Sequence, residues 1–269
     1  MTSSETTLRV CLLQFAKQDN LDKTLIHLEE LFEKAVNAHR PQIIALPELF
    51  NNEYTESLFP SMAETIEDGK TFRTLSKLSK KFSVYFVGGS IAERDERQLN
   101  KTVESFRVQL CNYHGEDGFE VVEEGIFTPG NDIATFQVNG FKCGIEICYD
   151  IHYEELAKTY RRAGCDLIFF PANFPNVFGK QWWELLLRAR AMDNQLFVAG
   201  ISGARNEKDG LVAYGHSIII GPTGNVLTIA GIDEEIVFYE IDKIDILKFR
   251  KEMPLYESRR PDVCYKSCK

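Results

Sequence analysis

Two side chains in this sequence sit where the carboxyl edge of a sheet would present them, and their chemistries complement each other. Cys148 closes the apolar stretch FKCGIEICYD (residues 141–150) and is followed at once by a helix-forming segment, HYEELAKTYRRAG. A thiol between a strand end and a helix start meets the positive end of the helix, which favours the nucleophilic thiolate. Most free cysteines are packing residues, and Cys11, Cys143 and Cys165 read that way. Glu48 follows QIIAL (42–46) and Pro47. Loop glutamates are usually solvated, but burial at a sheet edge raises a carboxyl pKa towards neutrality, where it can move protons. A third place joins Pro171-Ala172-Asn173 to QWWELLLRARAMDNQ (181–195). There Arg188, Arg190 and Asp193 read as a structural ion network.

The elements that must hold these residues alternate. Residues 8–15 are apolar and β-competent, and Asp19 and Asn20 offer N-cap oxygens to a helix with Leu21, Leu25, Leu28, Leu31, Phe32 and Val36 on one face. QIIAL is continuous enough for a strand covered on both faces. A helix over about 69–82 and a strand over 84–91 follow. After a less regular region come the Cys148 strand, a helix from about residue 153, a strand over 166–171, a helix over 181–194 and a strand over 196–202. Residues 214–227 read as a hairpin, with Pro222-Thr223-Gly224-Asn225 as its turn. A strand over 233–241 and a helix over 244–253, ended by Pro254, precede a polar tail. The pattern predicts a layered α/β fold with a mixed sheet. No linker divides the chain, so one domain is expected over 1–269, with a core of about 8–255 and a tail from 256.

Composition narrows the classes of function. A net charge of −9 over 269 residues argues against nucleic acid or an anionic membrane as main partner. The first residues are polar, and the longest apolar runs are far too short to span a bilayer. Seven cysteines without regular spacing read as reduced thiols. Cys264 and Cys268 lack companions for a zinc site, so neither metal nor organic cofactor is expected. The expected location is the cytoplasm, with the mitochondrion as the alternative.

Five stretches together resemble the nitrilase superfamily of carbon–nitrogen hydrolases, in particular its omega-amidase (Nit2-like) branch: LPELFNNEY (46–54), VGGSIAE (87–93), GIEICYDIHYEELA (144–157), WELLLRARAMDNQLFVA (183–199) and YGHSIIIGPTGNVL (214–227). The resemblance covers nearly the whole chain. It implies a four-layer αββα sandwich that pairs into a homodimer through a helical layer, and a Glu–Lys–Cys triad that hydrolyses an amide through a thioester. On that basis Glu48 is the general base, Cys148 the nucleophile, and the backbone N–H of Tyr149 an oxyanion donor. The implied substrates are small monoamides of dicarboxylic acids, such as 2-oxoglutaramate or 2-oxosuccinamate. Tyr54, Asn173 and Arg205 are then candidates for binding them.

The sequence departs from that family in one region. Between Ile91 and Pro129-Gly130 it is shorter than the pattern, and the R-K-x-H-L stretch with the third catalytic residue is absent. Aligned backwards from TPG (128–130), SFRVQL (105–110) puts Arg107 at the lysine position and Gln109 at the histidine position, leaves the preceding hairpin missing, and makes Glu123 the family's second acid. Aligned forwards, GEDG (115–118) is the hairpin turn and the lysine segment is missing. Arginine holds a charge but does not readily exchange a proton, and Lys101 is the nearby alternative. Glu146, two residues before Cys148, is expected on the same strand face, where a carboxylate would raise the thiol pKa. His152 stands where the family often has arginine and reads as a satisfied or surface histidine. The altered triad admits a second reading: a nitrilase-fold dimer with weak or no hydrolase activity.

Overall fold

The computed structural model describes residues 6–52, 54–55, 58–94, 103–104, 108–114 and 120–264. Strand β1 (Thr7–Gln14) leads into α1 (Leu21–His39), and β2 (Ile43–Ala45) returns parallel to β1. Asn20 caps α1 by accepting from the Lys23 N–H, as its side chain predicts. A single turn, α2 (Phe59–Met62), and α3 (Lys70–Phe82) precede β3 (Tyr85–Val87), parallel to β2. Five short strands follow: β4 (Glu93–Arg94), β5 (Val103–Glu104), β6 (Asn112–His114), β7 (Glu120–Val122) and β8 (Phe127–Thr128). Then come β9 (Ala134–Val138), β10 (Phe141–Ile145), α4 (Glu154–Arg162), β11 (Leu167–Ala172), α5 (Asn176–Asn194) and β12 (Phe197–Ser202). The hairpin β13 (Ile218–Ile220) and β14 (Val226–Ile229), strand β15 (Glu235–Asp242), α6 (Lys243–Glu252) and α7 (Pro261–Cys264) complete the order.

Two mixed sheets face each other. One runs β15-β1-β2-β3, and the other runs β14-β13-β12-β11-β10-β9 with β10, β11 and β12 parallel. Side chains alternate across each strand, so one face of a sheet meets the other sheet and the opposite face meets helices. Val10, Leu12, Ile43 and Ala45 pack against Cys143, Leu167, Phe169 and Phe197 in the central core. Cys11, Leu13 and Ile44 point the other way, against Leu25, Leu28 and Phe32 of α1 and Leu78 of α3. Ile168, Phe170 and Val198 meet Ala157 and Tyr160 of α4 and Trp183 and Leu187 of α5. The layers are therefore α, β, β, α, as expected.

Several boundaries differ from the sequence reading. The stretch read as a strand to residue 91 ends at Val87, because Gly89 turns the backbone into the left-handed region at φ +66°. Helix α5 starts at Asn176, five residues earlier than its apolar periodicity suggests, behind Pro175, whose fixed φ suits a helix entry. No α-helix starts at Cys148. A 3₁₀ turn covers Cys148–His152, and α4 begins only at Glu154. The thiol therefore meets a tight turn instead of an α-helix N-terminus.

The region between Ile91 and Pro129, read backwards as lacking a hairpin and forwards as lacking the lysine segment, has two antiparallel pairs among the described residues. Glu93 and Arg94 of β4 face Glu104 and Val103 of β5. On either side of residues 115–119, β6 and β7 pair with Asn112 opposite Val122. Neither hairpin ladder is missing; each is only two or three residues long. Arg107 and Lys101 lie outside the described residues.

Candidate active site

Glu48 stands one turn beyond β2, and three features fix it there. The Leu46 N–H donates to the Val87 carbonyl, and the Leu49 N–H to the Ser90 carbonyl, both at 2.9 Å. Leu49 adopts φ +45°, a conformation that costs a non-glycine residue about 1–2 kcal/mol. Gly89 passes so close to Pro47 that a Cβ there would lie 1.9 Å from the Pro47 carbonyl oxygen. The result is a fully buried glutamate whose Oε2 accepts from the Asn173 backbone N–H at 2.8 Å. Asn173 immediately follows β11, so this bond joins the carboxyl ends of the two sheets.

Cys148 follows β10 in a strained turn. Its φ is +46°, the left-handed region that β-carbons disfavour, and such strain gathers at functional sites. Asp150 holds the turn: its Oδ2 accepts from the Ile147 N–H at 3.0 Å, and its own N–H donates to the Ile147 carbonyl. The same carboxylate accepts the Gln109 N–H at 2.8 Å and the Val108 N–H at 3.4 Å. Residues 108 and 109 are therefore tied to the turn that carries Cys148.

A third wall comes from β6, β7 and the loop after Glu48. Glu123 is buried and accepts from the Tyr54 hydroxyl at 2.9 Å and the Cys111 N–H at 2.7 Å. Burial, followed by the charge of Glu123, holds the Tyr54 hydroxyl well above its ordinary pKa, so it stays a donor. Between these walls lies a cavity of about 250 Å³ lined by Glu48, Tyr54, Cys148, Tyr149, His152 and Asn173, with Phe174, Phe178, Trp182, Tyr113 and Leu211 among its apolar surfaces. Phe178 stacks on Trp182 at 4.6 Å, and Tyr113 meets Phe178 edge-on at 4.8 Å. These rings give a narrow apolar slot with a few convergent polar groups, the usual make-up of a small-molecule site.

The structure thus brings Glu48, Cys148, Tyr149, Tyr54 and Asn173 to one cavity, but not Arg205. The Arg205 guanidinium donates to the Tyr214 carbonyl at 3.0 Å and lies over the Tyr214 ring; it supports the loop and does not line the cavity. Glu146 lies just past the end of β10 at Ile145, and its N–H still donates to the Phe169 carbonyl. The Glu146 side chain is wholly buried, and both its oxygens lack hydrogen-bond partners among the described residues. Burial, then the nearby Asp150, pushes its pKa well up. The raised pKa favours the uncharged form, which lessens the expected opposition to thiolate formation. His152, read as satisfied or exposed, instead lines the cavity; burial, then Arg190, lowers its pKa. Arg188, Arg190 and Asp193 form no joint network: Arg188 pairs with Glu184, and Arg190 donates twice to the Ile151 carbonyl.

Missed by the sequence reading were Cys111, Tyr113, Phe174, Phe178 and Trp182 as lining residues. The signal for Phe174, Phe178 and Trp182 was an aromatic density between residues 174 and 183 that also suits a helix core; Cys111 and Tyr113 carried none.

An interface of two sheets that presents a buried glutamate and a strained cysteine to one slot is the arrangement of a carbon–nitrogen hydrolase. The carbon–nitrogen hydrolase family model matches residues 9–251, and the chain belongs to that family. It is similar to the omega-amidase NIT2 of Mus musculus, 35% identical over 280 residues covering 96% of each chain. It is equally similar to that of Homo sapiens, 35% identical over 96% of this chain and 97% of that one. Among solved structures it resembles Saccharomyces cerevisiae Nit3, a member of branch 10 of the nitrilase superfamily, with a TM-score of 0.83 and 31% identity over 95% of this chain and 97% of that chain.

Proposed function

We propose that this chain is an omega-amidase-like hydrolase. It cleaves the amide of a small dicarboxylic acid monoamide, such as 2-oxoglutaramate or 2-oxosuccinamate, to the acid and ammonia. The observation that carries this reading is the convergence of Glu48 and Cys148, from different sheets, on one slot of about 250 Å³. That volume suits a substrate of this size.

Cys148 attacks the amide carbon, and its proton passes through Glu48 to the leaving nitrogen. Ammonia departs and leaves a thioester on Cys148. Water then attacks the thioester, gives a proton to Glu48, and the acid leaves as the thiol is restored. The Tyr149 N–H steadies the tetrahedral oxygen. Tyr54 and Asn173 orient the substrate, with Tyr54 itself held by Glu123. Arg107 takes the lysine's place as the cation that favours thiolate and oxyanion, a role its fixed charge can fill without proton exchange. No metal or organic cofactor enters this scheme. The chain acts as one domain and forms a homodimer through the exposed face of α5. Seven cysteines without regular spacing suit the reducing cytoplasm.

The test is ammonia release from 2-oxosuccinamate by the pure protein beside Cys148→Ala. We expect the variant to lose at least about a thousandfold in kcat, since members of one catalytic unit fail together. Equal rates, or no release by the unmodified protein, overturn the reading and favour an inactive nitrilase-fold protein.

A further inference from the structure

A second, smaller cavity lies against the first. Its volume is about 30 Å³, above the roughly 10–15 Å³ that one ordered water needs. Glu48, Tyr54, Asn173 and Leu211 line both cavities, so the catalytic carboxylate forms part of the wall between them. Where the larger slot is aromatic, this chamber also presents Asn52, Lys17 and Asp209. Lys17 and Asp209 pair at 2.7 Å, each partly exposed, and close its outer wall. Asn52 is only 8% exposed, and its Nδ2 has no hydrogen-bond partner among the described residues. A buried amide N–H₂ left unsatisfied is destabilising. Such a group calls for a small acceptor in the chamber.

Ammonia and water each accept one hydrogen bond through a lone pair and donate others. Asn52 brings a donor and Glu48 a carboxylate acceptor to the lining of this chamber. A substrate carbon skeleton matches neither. We propose that this chamber is the transit site for the leaving ammonia and the incoming water, separate from the slot that holds the acyl group. The inference rests on the amidase reading. In the first half-reaction the Cys148 S–C bond forms, the C–N bond breaks, and ammonia carries off the thiol proton by way of Glu48 into the chamber. In the second, a water from the chamber forms the O–C bond, the S–C bond breaks, and the water's proton returns through Glu48 to sulfur. Amide and water go in; acid and ammonia come out. A thioester blocking the aromatic slot would then not block its own hydrolysis.

Gly203 lines the chamber, and a Cβ there would meet Ala213 Cβ and Asn173 Oδ1 at 3.5 Å, ordinary contact distances. Gly203→Ala therefore fills space without a clash. With 2-oxosuccinamate we expect a burst of about one ammonia per protein, a steady rate at least tenfold lower, and an acyl adduct on Cys148 seen by intact-protein mass spectrometry. Asn52→Leu should do the same by removing the donor. An unchanged steady rate, or a slowed rate with no burst and no adduct, overturns the proposal. A measurement on the unmodified protein stands independent of any variant: hydroxylamine should capture the acyl group far better than N-methylhydroxylamine or larger amines. Equal capture by bulky nucleophiles means entry through the open slot and also overturns it. Absence of ammonia release by the unmodified protein is the separate outcome that sinks the amidase reading, and this proposal with it.

Discussion

Glu146 is the residue with the clearest pH consequence. Its carboxyl is buried without a partner, and burial followed by the Asp150 charge raises its pKa well above the ordinary 4.5, with Arg190 opposing. In the unfolded chain it ionises near that ordinary value. Between the two pKa values the folded state holds the extra proton, so the contribution to stability is full below about pH 4.5 and falls as pH rises towards the folded pKa. Glu146→Gln keeps the shape and removes the proton. The variant should melt at nearly the same temperature as the parent around pH 4.5 and become progressively the more stable of the two towards pH 8. Thermal melts across that range decide it: a constant offset would mean that Glu146 does not titrate on unfolding. At this scale the sequence offered Glu48 and Cys148 as candidates, each after an apolar run at a turn, and it was the family resemblance that implied their roles. It could not place Arg205, a loop cation, because whether a loop folds onto a cavity or onto Tyr214 leaves no periodic trace.

Among the elements, the link between β2 and β3 does the positioning. The bridge between Glu48 and Ser90 continues the parallel pairing past both strand ends. Gly89 makes this possible, having both a left-handed φ and backbone contact with Pro47 that excludes a Cβ. Gly89→Ala should cost about 1–3 kcal/mol of stability by overpacking. By shifting Pro47 it should also move the neighbouring Glu48 away from Asn173, lowering kcat at least tenfold. Urea unfolding and ammonia release in parallel test this, and full activity in a destabilised variant would separate the loop from the catalytic group. The alternation of strands and helices was legible because each amphipathic or buried run carries its own period. The short strands β4 to β8 were not, because two or three residues hold no period and their pairing is decided by neighbours distant in sequence.

For the whole molecule, α5 connects the site to a surface. Its inward face buries Trp183, Leu187 and Ala191, and Phe178 and Trp182 reach the catalytic slot. Its outward face exposes Val177, Leu185 and Met192, seven or eight residues apart and hence on one side of the helix. Water contact for such a row is unfavourable at about 25 cal/mol per Å², and a two-fold pairing would let the same face cover itself. If the proposed homodimer forms there, Leu185→Glu sets two carboxylates against each other at the centre of that face. The parent should then sediment at twice the 30.8 kDa chain mass, and Leu185→Glu at the single mass at micromolar concentration. Because Leu185 is 64% exposed in the chain, the substitution should leave the fold of the protomer intact, visible as an unchanged circular dichroism spectrum. A parent that sediments at the chain mass, or a variant that remains paired, removes α5 as the interface. Should the variant be monomeric yet fully active, the slot's aromatic wall is held by the protomer alone; a rise in KM on dissociation would instead show that pairing braces Phe178 and Trp182 from behind.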